Sequence, residues 1–400
     1  MRLHDYQVLQ SDADGLARVE LESGERVELP VGGPYEVGGA RQVLVGDLWV
    51  LAGQSNMEGV GDLVDVAPPS PFVHSYQSRE QWAVAEEPLH WLEESPRPVH
   101  RQLMGLEGLT GPPGPRDPAR TKGAGLGLAF ATRRHARTGA PVGLIPSAHG
   151  GTSMQQWDPR LRGLGSGSLY GATLKRVEAV GGKVAGVLWY QGESDAEPAE
   201  LARYTERMRR LVEAFRADLG QPDLPFYYVQ IGRFVADTTG DGLLGWNGIR
   251  EAQRTLAATM PHTAVVSAID LELDDAIHVG TRGLSRLGQR LADAAAGHRG
   301  PDVAEVGVEG GGVRLRVTFS GVRGGLRAAG RPTGFSLRQR DEELPLIYKV
   351  TLEGDAALLH LTVDALPRGT ELWYGWGLDP YCNLTDAQDA VVPAFGPMTV

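Results

Sequence analysis

The chain has 400 residues, of which 42% are hydrophobic and 22% are charged, a composition typical of a globular protein with two or three domains. Its formal net charge is −11 and it contains no long basic run, so we expect no nucleic-acid partner. The one cysteine, Cys382, allows no internal disulfide and no cysteine-based metal site.

The N-terminus and the hydropathy of the chain predict its location. Residues 1–6 lack the apolar stretch of a signal peptide, and no run of about 18 apolar residues is present that could span a membrane. We therefore expect no membrane association and a cytoplasmic protein, or a secreted one if a leader has been removed. The sequence does not indicate an oligomeric state.

Apolar runs divide the chain into three regions. Residues 1–42 include Leu16–Leu21, which alternates apolar and polar as a half-buried strand does. In residues 43–298, runs suited to strands buried on both faces alternate with helical patterns, which predicts a parallel sheet. These runs are Val43–Ala52, Val142–Ala148, Val184–Tyr190, Phe226–Ile231 and Ala264–Ala268. Residues 299–400 alternate in the manner of an antiparallel β domain, as in Val313–Phe319.

Helical periodicity lies between these strands. The predicted helices are Gly127–Arg137, Leu169–Val180, Pro198–Leu219, Ile249–Ala258 and Leu284–Ala296. Residues 62–122 are rich in proline and show few periodic signals. We expect a long irregular segment there, of the kind that often carries functional loops.

The first candidate functional motif is Gly53-Gln54-Ser55, which directly follows the apolar run Val43–Ala52. At the carboxyl end of a parallel strand, a serine hydroxyl lies at the ligand-binding edge of the sheet, and a following helix offers backbone N–H groups to an oxyanion. A serine at this position also commonly caps a helix without any catalytic role. Ser55 is therefore a candidate nucleophile that needs a partner base.

Asp275 and His278 are the candidates for that partner. A serine nucleophile needs a base, and the base needs a carboxylate that orients it. The spacing of three residues lets one tight turn aim Asp275 at the His278 imidazole, and on that ground we choose Asp275 over the adjacent Asp274. The alternative is a surface aspartate beside a capping histidine.

Two further polar segments follow predicted strands. Ser147–Thr152 contains a glycine pair that lets a backbone N–H approach a substrate oxygen closely, although the pair also fits an ordinary turn. Trp189–Asp195 contains Gln191, whose amide can donate to an oxyanion, and Glu193, which could bind sugar hydroxyls, support a loop or be solvated. We interpret His149 as structural, because nothing in the sequence positions it as a base. Polar motifs at successive strand ends are typical of the site of a doubly wound sheet.

Five segments also carry a family resemblance. They are Val45–Glu58, Pro141–Pro146 with Gly150-Gly151-Thr152 and Trp157, Trp189–Asp195, Ile249–Gln253, and Asp275–His278. In this order they resemble the SGNH hydrolase superfamily, in particular its sialate O-acetylesterase and acetylxylan esterase branch. The resemblance implies a flavodoxin-like three-layer α/β/α sandwich with a parallel sheet, and ester hydrolysis with no cofactor and no metal. Residues 43–298 would be the catalytic domain, between an N-terminal β region (1–42) and a C-terminal antiparallel β domain (299–400).

The resemblance also implies roles for individual residues. By it, Ser55 is the nucleophile, His278 the base and Asp275 the orienting carboxylate. The oxyanion hole would consist of the N–H groups of Ser55 and Gly150 and the side chain of Gln191.

Three residues are expected to contact the substrate: Trp157, Glu193 and Gln54. Trp157 follows Gly151 by six residues, so we expect it at the rim of the site, where an indole face can stack on a sugar ring. The alternative for Trp157 is packing in the core.

The sequence therefore predicts a serine esterase that removes acetyl or similarly small acyl groups from a carbohydrate through a Ser-His-Asp triad and an acyl-enzyme. One alternative is a general small-ester hydrolase or thioesterase of the same superfamily. Another is a non-catalytic carbohydrate-binding protein, which the complete set of predicted catalytic residues disfavours. The expected partner is an acetylated carbohydrate, and neither the sugar nor the acetylated hydroxyl is indicated.

Overall fold

The computed structural model describes residues 2–106, 116–236, 240–310, 313–340 and 342–400. For Asp241 it describes the backbone but not the side chain. The described residues form two compact units. The first lies within Met1–Ser194, Glu206–Tyr228 and His278–Ala292, and the second within Asp195–Thr205, Val229–Ile277 and Asp293–Val400. Residues 107–115 of the predicted irregular segment, and Met1 of the predicted N-terminal region, lie outside the described residues.

The described residues contain both helices and strands. The strands are β1 (Val8–Gln10), β2 (Leu16–Glu20), β3 (Arg26–Pro30), β4 (Gly32–Val37), β5 (Ala40–Gly53), β6 (Gly61–Asp62), β7 (Val73–Tyr76), β8 (Trp82–Val84), β9 (Lys122–Ala124), β10 (Val142–Pro146), β11 (Gly186–Tyr190), β12 (Phe226–Gln230), β13 (Thr263–Ser267), β14 (Asp302–Glu309), β15 (Arg314–Ser320), β16 (Leu326–Ala328), β17 (Phe335–Gln339), β18 (Glu342–Leu344), β19 (Ile347–Glu353), β20 (Ala356–Leu361), β21 (Glu371–Tyr374), β22 (Leu384–Asp386) and β23 (Phe395–Thr399). The α-helices are α1 (Ser55–Glu58), α2 (Pro98–Leu103), α3 (Gly127–Thr138), α4 (Leu169–Ala179), α5 (Pro198–Asp218), α6 (Asp241–Thr259) and α7 (Thr281–Ala295). Short 3-10 helices span Leu92–Glu94, Pro159–Gly167 and Glu193–Asp195. In the described ranges, no helix combines the length and apolar character needed to cross a membrane.

A mostly parallel sheet built around β5 runs through the first unit. Its strands follow the order β12, β11, β5, β10, β7 and β8, and all of these neighbours are parallel except β7 and β8. β10 and β11 are buried along their whole length, which explains their continuous apolar sequence. The predicted parallel sheet is confirmed. The buried strand β7, however, comes from the segment expected to be irregular, because its four residues are too few to show a period.

The carboxyl ends of β5, β10 and β11 lie side by side. Tyr190 at the end of β11 is paired with Gly53, and Pro146 at the end of β10 is paired with Leu51. Gly53 has a φ of 136°, and a β-carbon on it would lie 2.1 Å from the carbonyl oxygen of Tyr190, so this close approach requires glycine. The pairing brings the segments that follow these three strands to one edge of the sheet.

Local sequence signals explain where two helices of the first unit begin or end. α3 ends at Thr138 and is followed by Gly139, which has a φ of 72° and donates its N–H to the carbonyl of His135, as left-handed residues after helix ends commonly do. α4 begins after Ser168, whose hydroxyl accepts a hydrogen bond from the backbone nitrogen of Gly171 at 3.1 Å, a common N-terminal cap. These signals agree with the predicted helices to within a residue at each end.

The second unit is rich in antiparallel strands. Its two four-stranded sheets have the orders β14, β15, β20, β19 and β18, β17, β21, β23. Residues of β15 alternate between buried and partly exposed positions, as expected for a strand with one face in a core. The fully buried residues of this core include Leu315, Val317, Leu337, Ala357, Leu359, Leu372 and Tyr374. The expected antiparallel β structure near the C-terminus is therefore present.

Candidate active site

Ser55 and His278 meet at the edge of the parallel sheet. Ser55 is the first residue of α1 and directly follows the β5 strand and Gln54. Its Oγ lies 3.0 Å from Nε2 of His278, although 223 positions separate the two residues. This is the hydrogen-bond distance that proton transfer between a nucleophile and its base requires. The structure thus brings together the two residues that the sequence predicts as nucleophile and base.

Asp275, the predicted orienting carboxylate, belongs to the second unit. The residue is exposed, and its Oδ1 accepts a hydrogen bond from the backbone nitrogen of Ile277 at 2.9 Å. An aspartate bonded to the backbone two residues ahead forms a tight local turn. The role of Asp275 toward His278 stays a prediction.

Asn56 is a residue of the site that the sequence did not single out. It is 1% exposed, and its Nδ2 donates to Oε1 of Glu193 at 2.8 Å. Its Oδ1 accepts from the backbone nitrogen of Val279 at 3.0 Å. Asn56 therefore connects the segment after β5 both to the segment after β11 and to the residue next to His278.

Gly150, the predicted oxyanion-hole residue, lies beside Ser55. A β-carbon on Gly150 would be 3.5 Å from the Cβ of Ser55. The Gly150 N–H donates to Oε2 of Glu58 at 2.7 Å. Burial raises the pKa of Glu58 to about 7, whereas the Gly150 hydrogen bond and the charges of Arg120 and His278 oppose the rise. The sequence motif identified the glycine but not the carboxyl group that contacts it.

Thr152 holds the segment that carries Gly150. Nε2 of Gln191 donates to the Thr152 carbonyl at 3.2 Å, and the Thr152 hydroxyl donates to the His149 carbonyl at 2.7 Å. The indole N–H of Trp157 donates to the same hydroxyl at 3.0 Å. All four of these residues are buried, so their hydrogen bonds are shielded from water and fix the path of the segment.

Trp157 lies in the core, and its predicted position at the rim of the site is wrong. The side chain is 0% exposed and packs edge-on against Trp189, with 5.1 Å between ring centroids. Its indole N–H already has a partner in Thr152. An indole buried on both faces offers no surface to a sugar ring.

Gln54 and Glu193, the other predicted substrate contacts, also face inward. Gln54 is 3% exposed, and its Oε1 accepts from the backbone nitrogens of Gly192 and Ser194 at 3.4 Å each. Glu193 is 9% exposed and binds Asn56. In this structure both side chains support the loops around Ser55, and their contact with the substrate stays a prediction. A polar residue beside such a motif can bind substrate or support a loop, and its sequence position does not distinguish these roles.

Neutral histidines support the segment after β10. The Nδ1 atoms of His149 and His100 lie 2.9 Å apart, and the rings are nearly parallel at 16°, so one nitrogen donates and the other accepts. Burial lowers the pKa of His149 to about 4 and lowers that of His100 well below its ordinary value. Nε2 of His90 accepts from the backbone nitrogen of Ala148 at 3.2 Å, and burial lowers the pKa of His90 to about 3.

Candidate metal ligands are not clustered in the part of the chain that the structure describes. There, no three or more His, Cys, Asp or Glu side chains are placed to hold one ion. The sequence expectation of a metal-free site stays a prediction.

Comparison with known proteins identifies the family. A family model described as carbohydrate esterase, sialic acid-specific acetylesterase, matches residues 45–297. A probable carbohydrate esterase of Arabidopsis thaliana is 31% identical over 269 residues, which is 62% of this chain and 89% of that protein. The crystal structure of a carbohydrate acetylesterase from Xanthomonas citri has the same fold, with a TM-score of 0.71 at 24% identity over 98% of this chain and 97% of the other. The chain belongs to the sialic acid-specific acetylesterase family of carbohydrate esterases, and it is a carboxylic ester hydrolase of the carbohydrate acetylesterase type.

Proposed function

We propose that this protein hydrolyses acetyl esters on a carbohydrate with Ser55 as the nucleophile and His278 as the general base. The observation that carries the proposal is the distance of 3.0 Å between Ser55 Oγ and His278 Nε2. A neutral imidazole accepts the serine proton as Oγ attacks the ester carbonyl carbon. The His278 proton then passes to the departing sugar oxygen, and an acetyl group remains on Ser55.

The second half of the reaction uses the same two residues. His278 takes a proton from a water molecule, the water oxygen attacks the acetyl carbon, and acetate leaves as the proton returns to Ser55 Oγ. We assign Asp275 the role of holding the imidazole in the tautomer that leaves Nε2 free and of stabilising the imidazolium. The spacing of three residues between Asp275 and His278, and the family resemblance, support this role.

The oxyanion of each tetrahedral intermediate needs hydrogen-bond donors. We assign them to the N–H groups of Ser55 and Gly150 and to the side chain of Gln191. Gly150 lies next to the Cβ of Ser55, and Gln191 is fully buried on the segment after β11, tied to Thr152. Donors of this kind, fixed before the reaction, stabilise the developing charge without reorganising.

The proposal includes the finer architecture of the catalytic region. We infer a flavodoxin-like three-layer α/β/α sandwich for residues 43–298, flanked by a β region at 1–42 and an antiparallel β domain at 299–400. The family match over residues 45–297 and the parallel order around β5 support these boundaries.

The test combines a substrate series with two variants. We expect hydrolysis of acetylated sugars, with acetylated sialic acid, acetylated xylooligosaccharides and acetylated hexoses as the series, and of p-nitrophenyl acetate as a reporter. Ser55→Ala and His278→Ala should each lower kcat by roughly 10³-fold or more while the fold is retained. Activity of Ser55→Ala close to the wild-type level would overturn the proposal.

A further inference from the structure

The carboxyl group of Glu58 contacts the Gly150 segment next to Ser55. Its Oε2 is 2.7 Å from the Gly150 nitrogen, and it would be 3.2 Å from a β-carbon on Gly150, a point only 3.5 Å from the Cβ of Ser55. Glu58 follows Ser55 by three residues in α1, and helical side chains of this length point back toward the N-terminus. The acidic side chain therefore extends along the nucleophile to the neighbouring segment.

This contact conflicts with the chemistry proposed for Gly150. One N–H donates well to one acceptor at a time, and Glu58 already uses the Gly150 N–H. A carboxylate that stayed there would also place negative charge beside the developing oxyanion, which opposes the stabilisation that the site must provide. Glu58 must therefore give up this hydrogen bond, or lose its charge, before the ester reacts.

We propose that Glu58 competes with the substrate for the Gly150 N–H: its carboxylate occupies that donor in the free enzyme and yields it to the ester carbonyl oxygen on binding. The proposal rests on the proposed function, because it takes the Gly150 N–H as an oxyanion donor. By this competition Glu58 weakens the binding of the ester substrate, so replacing Glu58 should change KM more than kcat.

The ionisation of Glu58 should decide how strongly it competes. Burial raises its pKa to about 7; Arg120 and His278 face it and favour the ionised form, whereas Glu93 disfavours it. The imidazole of His90 lies near the Glu58 backbone. Below this pKa the carboxyl group is neutral and a weaker acceptor, and above it the carboxylate holds the N–H more tightly. We expect the wild-type KM to rise between about pH 6 and about pH 8.5.

Two variants of Glu58 test the competition. Glu58→Gln keeps the shape but removes the charge, and it should lower KM for p-nitrophenyl acetate about fivefold at about pH 8, with kcat within about twofold of wild type. Glu58→Asp shortens the side chain by one methylene, so it should also lower KM, even though the charge remains. The ratio of wild-type to Gln-variant KM should approach one near pH 6.

Glu93→Gln is the matched control. It removes a negative charge from the surroundings of Glu58 and leaves the contact with Gly150 in place, so KM should still rise with pH, starting at a lower pH. A folded Glu58→Gln variant whose KM is unchanged or higher at about pH 8 would overturn the proposal. Ser55→Ala distinguishes failure of this proposal from failure of the proposed function. If Ser55→Ala is inactive but KM does not fall in the Glu58 variants, only the competition by Glu58 is refuted. If Ser55→Ala is active, the proposed function itself is refuted.

Discussion

Oδ1 of Asn56 lies 3.0 Å from the backbone nitrogen of Val279, so the residue after Ser55 is hydrogen-bonded to the residue after His278. The other end of the same amide donates to Glu193 at 2.8 Å. Since Asn56 is buried, neither hydrogen bond competes with water. One side chain thus connects the segment that carries Ser55 to the segment that carries His278.

We predict that Asn56→Ala lowers kcat by at least about tenfold, because a shift of about 1 Å between reacting groups costs up to about 10²-fold. The buried Val279 N–H would also lose its acceptor, which should cost about 1–3 kcal/mol of the free energy of unfolding. Kinetics with p-nitrophenyl acetate and thermal unfolding measure the two effects. Glu193→Gln keeps an acceptor for Asn56 and should stay near wild type. An Asn56→Ala variant with wild-type kcat would show that catalysis does not depend on the hydrogen bond between Asn56 and Val279.

Gln191→Ala should lower kcat by roughly 10²–10³-fold with little change in KM, as removal of one oxyanion donor does. The side chain also bonds to the Thr152 carbonyl, so thermal unfolding must accompany the kinetics. Thr152→Ser, which keeps that carbonyl and the hydroxyl, is the control and should stay close to wild type. Unchanged kcat in a folded Gln191→Ala variant would mean that Gln191 only supports the segment.

Trp157→Phe should destabilise the protein without affecting sugar recognition. The substitution removes the indole hydrogen bond to Thr152 and leaves a cavity at a fully buried position, for a combined cost of about 1–3 kcal/mol. The ratio of KM for an acetylated sugar to KM for p-nitrophenyl acetate should not change. A selective rise in KM for the sugar would contradict the buried role of Trp157.

Buried neutral histidines should make the protein less stable in acid. The pKa of His149 is lowered from 6.5 to about 4, so the unfolded chain takes up a proton at a pH where the folded chain does not. This stabilisation is complete above about pH 6.5 and is lost as the pH falls toward about 4, at a total of roughly 3 kcal/mol. Urea unfolding at about pH 7.5, 6 and 5 measures the loss. His149→Asn should reduce the slope of the free energy of unfolding against pH. An unchanged slope would show that His149 is not the cause of the acid sensitivity.

The sequence predicted the backbone positions of the site better than its side-chain contacts. Ser55 and Gly150 could be placed together because parallel strands end at one edge of a sheet, whatever the conformation of the loops. The contacts of Glu58 and Asn56 could not be predicted, because they depend on where side chains point within a single turn. The position of Trp157 was predicted wrongly for a related reason. The loop residues between Gly151 and Trp157 do not determine where the indole points, and its hydrogen bond to Thr152 depends on the folded conformation of the segment.

The proposed mechanism requires a covalent acetyl group on Ser55 during turnover, which peptide mass spectrometry detects. The enzyme is mixed with p-nitrophenyl acetate, quenched in acid during turnover and digested. We predict one acetyl group on the peptide that contains Ser55, and none on the corresponding peptide of Ser55→Ala, which should be inactive. Steady turnover with no acetyl group on Ser55, or with the acetyl group on another residue, would show that Ser55 is not the nucleophile.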